Sequence, residues 1–344
     1  MRACIIEAFG QPPRLAEVPG PDCPPRGAVV AVHATGVCRS DWHAWQGHDD
    51  TVQLPHVPGH EFAGVVQQVG EGVTRIRVGD RVTAPFILAC GRCEQCLAGE
   101  SQVCPYQRQP GFDLPGSWAE AVAVVEADHN LVVLPDALDM TVAAGLGCRV
   151  GTAYHAVRVQ AAVRPGETVA VIGCGGLGLA CVIVALAAGA EVIAVDLSPR
   201  SLEAARALGA QALMGGGDVA ERIRDLTDGG VQVAIDALGS TATARAGIES
   251  LRPRGRHVQV GLLLGEDAEP SLPMGRVIAQ ELQIRGSHGL AAAEYAEMLA
   301  EIARGTLDLS RTVGRVIGMA DLPSAMVAMG SPPTAAGMTV ARLV

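Results

Sequence analysis

Hydrophobic positions fall along this chain in two different rhythms. Up to about residue 90 the apolar runs are short and closed by turn residues. Ala28-Val29-Val30-Ala31-Val32-His33 reads as a strand, and Gly64-Val65-Val66-Gln67-Gln68-Val69 as another, ended by Gly70. Gly79-Asp80-Arg81-Val82 reads as a turn entering a further strand. Pro12, Pro13, Pro19, Pro21, Pro24 and Pro25 rule against a regular helix in the first 25 residues, because proline lacks the amide that a helix interior needs. This pattern predicts an all-β unit, barrel-like in form.

From about residue 165 the rhythm becomes alternating strand and helix. Thr168-Val169-Ala170-Val171-Ile172 is a continuous apolar run, as expected of a parallel strand covered on both faces. Gly173-Cys174-Gly175-Gly176-Leu177-Gly178 follows, then an apolar helix ending at Gly189, then the strand Glu191–Val195 with Asp196 at its end. Ser198-Pro199 reads as N-cap and first helical residue. Further strands are expected at 211–214, 231–235, 256–260 and 281–285. Six strands in this order describe a doubly wound parallel sheet of the Rossmann type. Beyond residue 290, a helix over 291–303 precedes strand-like residues 313–317 and 337–344, which are expected to rejoin the first unit. The chain is therefore divided as 1–148, 149–288 and 289–344, with a separate lobe at 90–104.

Composition narrows the field. The 344 residues are 49% hydrophobic, enough for two buried cores, and the net charge of -10 argues against a nucleic-acid partner. No apolar run of 18 residues is present, so no membrane span is expected. Met1 to Glu7 is charged too early for a secretory signal, and a cytoplasmic location is expected by default. In such a compartment, ten cysteines point to metal ligands or core thiols rather than disulfides. Cys4, Cys23, Cys174 and Cys181 have no ligand-like neighbours and read as packing thiols.

Cys90, Cys93, Cys96 and Cys104 lie in C-x2-C-x2-C-x7-C spacing. Four thiolates closing on one Zn2+ form a structural site with no open position. A second set is dispersed. Cys38 lies in Gly36-Val37-Cys38-Arg39-Ser40-Asp41-Trp42-His43, His60 in Pro58-Gly59-His60-Glu61, and Cys148 in Gly147-Cys148-Arg149. Taken singly, His60 reads as well as a hydrogen-bonded loop residue, and Cys148 as a packing thiol. Together, two sulfurs and one imidazole from three separate loops make an open zinc site with a fourth position for water or substrate. The glycine motif at Gly173, Gly175, Gly176 and Gly178 follows a strand, opens a helix, and has Asp196 at the end of the next strand. That is the context of a dinucleotide pyrophosphate site. Asp196 would accept from the ribose hydroxyls and repel a 2′-phosphate, favouring NAD over NADP. Ser40 is a poor base alone but a good conduit for a proton, and His43 has the side-chain type suited to relay near neutrality.

These motifs occur in one order and together resemble the zinc-dependent alcohol dehydrogenases of the medium-chain dehydrogenase/reductase superfamily, over essentially the whole chain. The resemblance implies a Rossmann domain joined to a mainly-β, GroES-like barrel. It implies NAD, one catalytic and one structural Zn2+, and a small alcohol or carbonyl substrate. Cys38, His60 and Cys148 would hold the catalytic zinc, with Glu61 beside it as a residue able to exchange with the metal's water. Glu61 as a permanent fourth ligand is the lesser alternative. Asp41 would accept from the free ring nitrogen of His60, Ser40 would touch the substrate hydroxyl, and His43 would relay its proton to solvent through the nicotinamide ribose. Arg39 and Arg342 match phosphate-binding positions, Leu177 lies in the fingerprint, Thr152 and Val260 match positions near the nicotinamide, and Gly286 closes the cofactor domain. Phe86, Trp118 and Leu262 match substrate-pocket positions, with Trp42 and Trp45 as further apolar candidates. The other histidines read as surface or packing residues, with His48 of note because its loop follows the site. A homodimer or homotetramer is implied, paired through the strand near 281–285. Two rival readings remain. A zinc-free quinone or enoyl reductase would lack ligands at positions 38, 60 and 148. A non-catalytic zinc- and nucleotide-binding redox sensor would bind both groups without turnover.

Overall fold

The computed structural model describes residues 1–331 and 335–344. Fifteen strands and their intervening helices are defined among them. The first two, β1 (Arg2–Ile5) and β2 (Arg14–Glu17), form an antiparallel pair. The mixed sheet is built from β3 (Ala28–Val37), β4 (Phe62–Val69), β5 (Arg81–Thr83), β6 (Ala121–Val124) and β7 (Val132–Val133). The parallel sheet takes β8 (Thr168–Ile172), β9 (Glu191–Asp196), β10 (Gln211–Met214), β11 (Val231–Asp236), β12 (Leu251–Gln259) and β13 (Gln283–Gly286). Finally β14 (Val313–Gly318) and β15 (Met338–Arg342) return to the mixed sheet.

The parallel sheet has the order β10-β9-β8-β11-β12-β13. The first strand therefore lies at the centre, and the order reverses between β8 and β11. Ligands bind in such sheets at that switch point, outside the carboxyl ends of the strands. The Gly173–Gly178 turn leaves β8 there. A Cβ on Gly178 would fall 1.7 Å from the carbonyl oxygen of Gly173, so only glycine lets the Gly176–Ala187 helix start this close to the strand. Ser198 caps the next helix, its side chain accepting from the Ser201 amide, with Pro199 in the first turn.

The mixed sheet runs β14-β15-β3-β4-β5-β7, with β6 also paired to β3. β15 pairs antiparallel with β3, so the chain's end closes the first unit, as its alternating pattern indicates. One hydrophobic core joins the sheets: Ala34, Ala63, Leu146, Val169, Met338 and Val340 belong to a single cluster.

Three details depart from the sequence reading. The first unit is not all-β: Arg39–Trp45 is a helix, because Asp41 bonds back to the Cys38 amide and closes a capping turn. β12 begins at Leu251 rather than 256: Leu251 pairs with Val231, and Arg252 to Gly255 bulge out, Arg254 in left-handed backbone, before the register resumes at Arg256. The helix expected from 291 opens with a 3-10 turn at Ala292–Glu294 before Tyr295–Ala303.

Candidate active site

Cys38 stands at the end of β3 and caps the Arg39–Trp45 helix; Cys148 caps the Arg149–Tyr154 helix. Only His60 comes from a loop, so the expectation of three loops is corrected to two helix N-termini and one loop. The Cys38 and Cys148 sulfurs and a His60 ring nitrogen lie within 4.8 Å of one another. One carboxylate fixes the set. Asp41, fully buried, accepts from the Cys38 amide at 2.9 Å through Oδ2, and from His60 Nδ1 at 2.8 Å and the Gly59 amide at 3.2 Å through Oδ1. His60 therefore carries its proton on Nδ1. Its buried Nε2 has no hydrogen-bond partner among the described residues. A bare imidazole nitrogen beside two sulfurs is the donor set that zinc takes, and the carboxylate behind the ring is the usual means of orienting such a ligand.

The electrostatics agree with a site built for a cation. Cys38 is held well below the ordinary thiol value, first by the Cys148 thiol and then by His60, against the cost of burial. Cys148 is raised in turn by the Cys38 sulfur and by burial. Burial opposes charge on His60, while Asp41 and then the Cys38 sulfur favour it, so zinc at Nε2 would displace a proton, as metal ligation by histidine requires. Phe86 and Phe112 pack around the His60 ring, with centroids 6.1 and 5.4 Å away. Phe112 was not legible as a site residue, since nothing in Gln109-Pro110-Gly111-Phe112 marks it.

The four-cysteine lobe is compact. Cys93 Sγ lies 3.4 Å from Cys96 and 3.7 Å from Cys104, and Cys90 lies 4.0 Å from Cys96. Four sulfurs around one zinc at about 2.3 Å would stand about 3.8 Å apart, so the cluster fits the ion.

Glu61 is buried beside this centre with both oxygens engaged. Oε1 accepts from the Arg149 amide and Nε at 2.9 Å, and Oε2 accepts from Nε at 3.0 Å and also from Nη2. Gly36 makes room for the pair: a Cβ there would lie 2.0 Å from Oε2. Glu61 is therefore the anchor of a buried arginine in this structure rather than a carboxylate facing an open coordination position.

Ser40 Oγ lies 4.0 Å from Cys38 Sγ. His43 Nδ1 is 3.0 Å from Nδ1 of the exposed His48, so the two rings form a chain leading to the surface. Trp118 is fully buried, its indole N–H bonded to the Gly36 carbonyl, and serves the core rather than a pocket wall. Trp45 is buried in the same cluster, while Leu262 is exposed.

At the other end of the site, Asp196 braces the glycine turn. Its Oδ2 accepts from the Cys174 amide at 2.6 Å and its Oδ1 from the Ser198 amide at 2.7 Å. A carboxylate has further lone pairs for ribose hydroxyls. Thr152 Oγ1 is buried and unpartnered among the described residues, and Val260 is buried after β12. Both expected phosphate ligands are exposed side chains in surface contacts. Arg39 stacks 4.5 Å over Trp42 and donates to the Met329 carbonyl, and Arg342 lies 3.8 Å from Asp139 among exposed side chains. The arginine packed on the fingerprint helix is Arg149, which Gly147-Cys148-Arg149 placed in view without indicating its direction.

Comparison with known proteins accords with this geometry. Residues 24–136 match the alcohol dehydrogenase GroES-like domain and residues 176–304 the zinc-binding dehydrogenase domain. An alcohol dehydrogenase of Geobacillus stearothermophilus is 38% identical over 292 residues, 83% of this chain and 84% of its own. The alcohol dehydrogenase of Thermus sp. ATN1 superposes with a TM-score of 0.91 at 32% identity, over 100% of both chains. A structure described as an NAD-dependent alcohol dehydrogenase superposes at 0.88 and 29% identity, again over 100% of both. The chain thus belongs to the zinc-dependent alcohol dehydrogenases of the medium-chain dehydrogenase/reductase superfamily.

Proposed function

We propose that the protein is an NAD-dependent zinc alcohol dehydrogenase, interconverting a primary or secondary alcohol with its aldehyde or ketone. The observation that carries the reading is the bare, buried Nε2 of His60 held beside the Cys38 and Cys148 sulfurs. Those three residues would hold the catalytic zinc, and Cys90, Cys93, Cys96 and Cys104 the structural one. When bound, the metal supplies Lewis acidity toward an oxygen and the dinucleotide accepts or returns a hydride. The protein's own contribution is to hold and to move protons. Asp41 keeps His60 in the tautomer that leaves Nε2 free. Ser40 takes the proton of the substrate hydroxyl. His43 carries it outward, and His48, in hydrogen-bond contact with it, passes it to solvent. Burial, with Arg39 and His48 adding to it, lowers the His43 value, so the ring is neutral and able to accept near pH 7.

Phe86 and Phe112 make the wall near His60 apolar, which favours a hydrophobic alcohol over a polyol. Asp196 favours NAD over NADP. β13 ends the parallel sheet with Ile284 partly open, and its free edge suits pairing with a second copy across a two-fold axis, giving a dimer or a tetramer of such dimers. All ten cysteines are free thiols, in keeping with a reducing cytoplasm, and no described helix is long and apolar enough to cross a membrane.

The test is a panel of alcohols and carbonyls with NAD(H) and NADP(H), before and after dialysis against a strong chelator. Turnover should appear with NAD and vanish on chelation. Ser40→Ala should lower kcat by about 10²–10⁴-fold, the range of general acid–base contributions. Unchanged kcat in that variant would remove the relay. Stoichiometric zinc and cofactor without turnover on any alcohol would favour the redox sensor.

A further inference from the structure

Arg149 uses only part of its hydrogen-bonding capacity. Nε and Nη2 are committed to Glu61, but Nη1 has no acceptor among the described residues, although the residue is only 7% exposed. That nitrogen lies against the start of the fingerprint helix. A Cβ built on Gly176 would come within 3.0 Å of Arg149 Cδ and 3.1 Å of Nη1. The twelve-residue Gly176–Ala187 helix has no side chain capping its N-terminus and no acid in its first turn. Next to it, a Cβ on Gly175 would meet no described atom within 4 Å, so the turn is open at that point. Free helix amides and an accessible guanidinium edge with no acceptor among the described residues lie side by side, and both call for an anion.

We propose that Arg149 binds the diphosphate of the dinucleotide through Nη1, while its other edge neutralises Glu61. The inference rests on the NAD reading above. It adds to the exposed Arg39 and Arg342 a guanidinium held against the start of the fingerprint helix. It also makes the Glu61–Arg149 pair a physical link between the metal centre and the glycine turn. Glu61 competes with the diphosphate for one positive charge. Its neutralisation strengthens the hold of Arg149 on an anion, and loss of the guanidinium weakens it.

Arg149→Met alone would strand a buried carboxylate and invite misfolding. The informative pair is Glu61→Gln and the double variant Glu61→Gln/Arg149→Met, each checked for circular dichroism and zinc content. Dissociation constants for NADH, ADP-ribose and adenosine are measured by calorimetry at two salt concentrations. ADP-ribose should bind about tenfold or more weakly to the double variant than to Glu61→Gln, with a shallower salt dependence, and adenosine equally to both. Glu61→Gln should bind ADP-ribose a few-fold more tightly than wild type. This second comparison stands even where the double variant does not fold. Equal ADP-ribose affinity in the two variants, or unchanged affinity in Glu61→Gln, would overturn the proposal while leaving the NAD reading intact. Wild-type protein that binds neither NADH nor ADP-ribose would remove that reading and the proposal with it.

Discussion

Asp41 concentrates more of the site's order than any ligand does. One buried carboxylate receives the Cys38 amide, the Gly59 amide and the His60 ring, so it sets the position of two candidate metal ligands at once. Partners of this kind are commonly worth 10–100-fold in metal affinity. Asp41→Asn should therefore weaken zinc binding at the Cys38 centre by about that factor, read by competition with a chromophoric chelator, and leave the four-cysteine lobe loaded. Equal retention at both sites would contradict the assignment. At this scale the sequence was informative about identity and silent about direction. Cys38, His60 and Cys148 were legible because ligand types at motif spacing constrain the chemistry, and Asp41 through the family resemblance. The destinations of Arg39, Arg149 and Trp118 were not, because a long side chain can reach several partners from one backbone position.

The glycine turn separates two demands that a single motif hides. Gly178 is required by the fold itself: its Cβ would strike the Gly173 carbonyl at 1.7 Å. Gly175 meets no such neighbour among the described residues, so its smallness serves whatever approaches from outside. Gly178→Ala should lower stability by about 1–3 kcal/mol in urea unfolding, the usual cost of overpacking. Gly175→Ala should leave that stability unchanged and weaken NADH binding about tenfold or more, a loss of about 1.4 kcal/mol. The reverse pattern would mean that the turn does not face a pyrophosphate. Elements of the parallel sheet were legible because buried parallel strands are continuous apolar runs, and Thr168–Ile172 and Gln211–Met214 fall where the pattern sets them. The short Arg39–Trp45 helix was not, since its cap is Cys38 with Asp41 reaching back, rather than a serine or aspartate at the cap itself.

The two large sheets are joined by one hydrophobic cluster, with the candidate metal centre and the glycine turn on either side of Arg149. Its charge state gives a further expectation. His56, His129, His257 and His288, like His43, are lowered from the ordinary imidazole value, in each case chiefly by burial. An unfolded chain would take up protons at these positions below about pH 6.5, and the native state resists them. Stability should accordingly be present above that pH and decline as it falls through 6.5 toward the native values. Zinc-loaded protein should show a lower Tm at pH 5.5 than at pH 7.5 by calorimetry; an equal or higher Tm would contradict the burial assigned to these rings. The fold was legible at this scale because six strands alternating with helices mark a doubly wound parallel sheet. The side-by-side placement of the three motifs was not, because it depends on how Leu146, Val169 and Met338 pack into a common core.

The most direct measurement is anomalous diffraction at the zinc edge from crystals grown with zinc and NADH. Two peaks per chain are expected, one enclosed by Cys90, Cys93, Cys96 and Cys104, the other bonded to Cys38 Sγ, His60 Nε2 and Cys148 Sγ, with the nicotinamide beside it. A single peak confined to the four-cysteine lobe, or a dinucleotide bound away from the Gly173–Gly178 turn, would contradict the account.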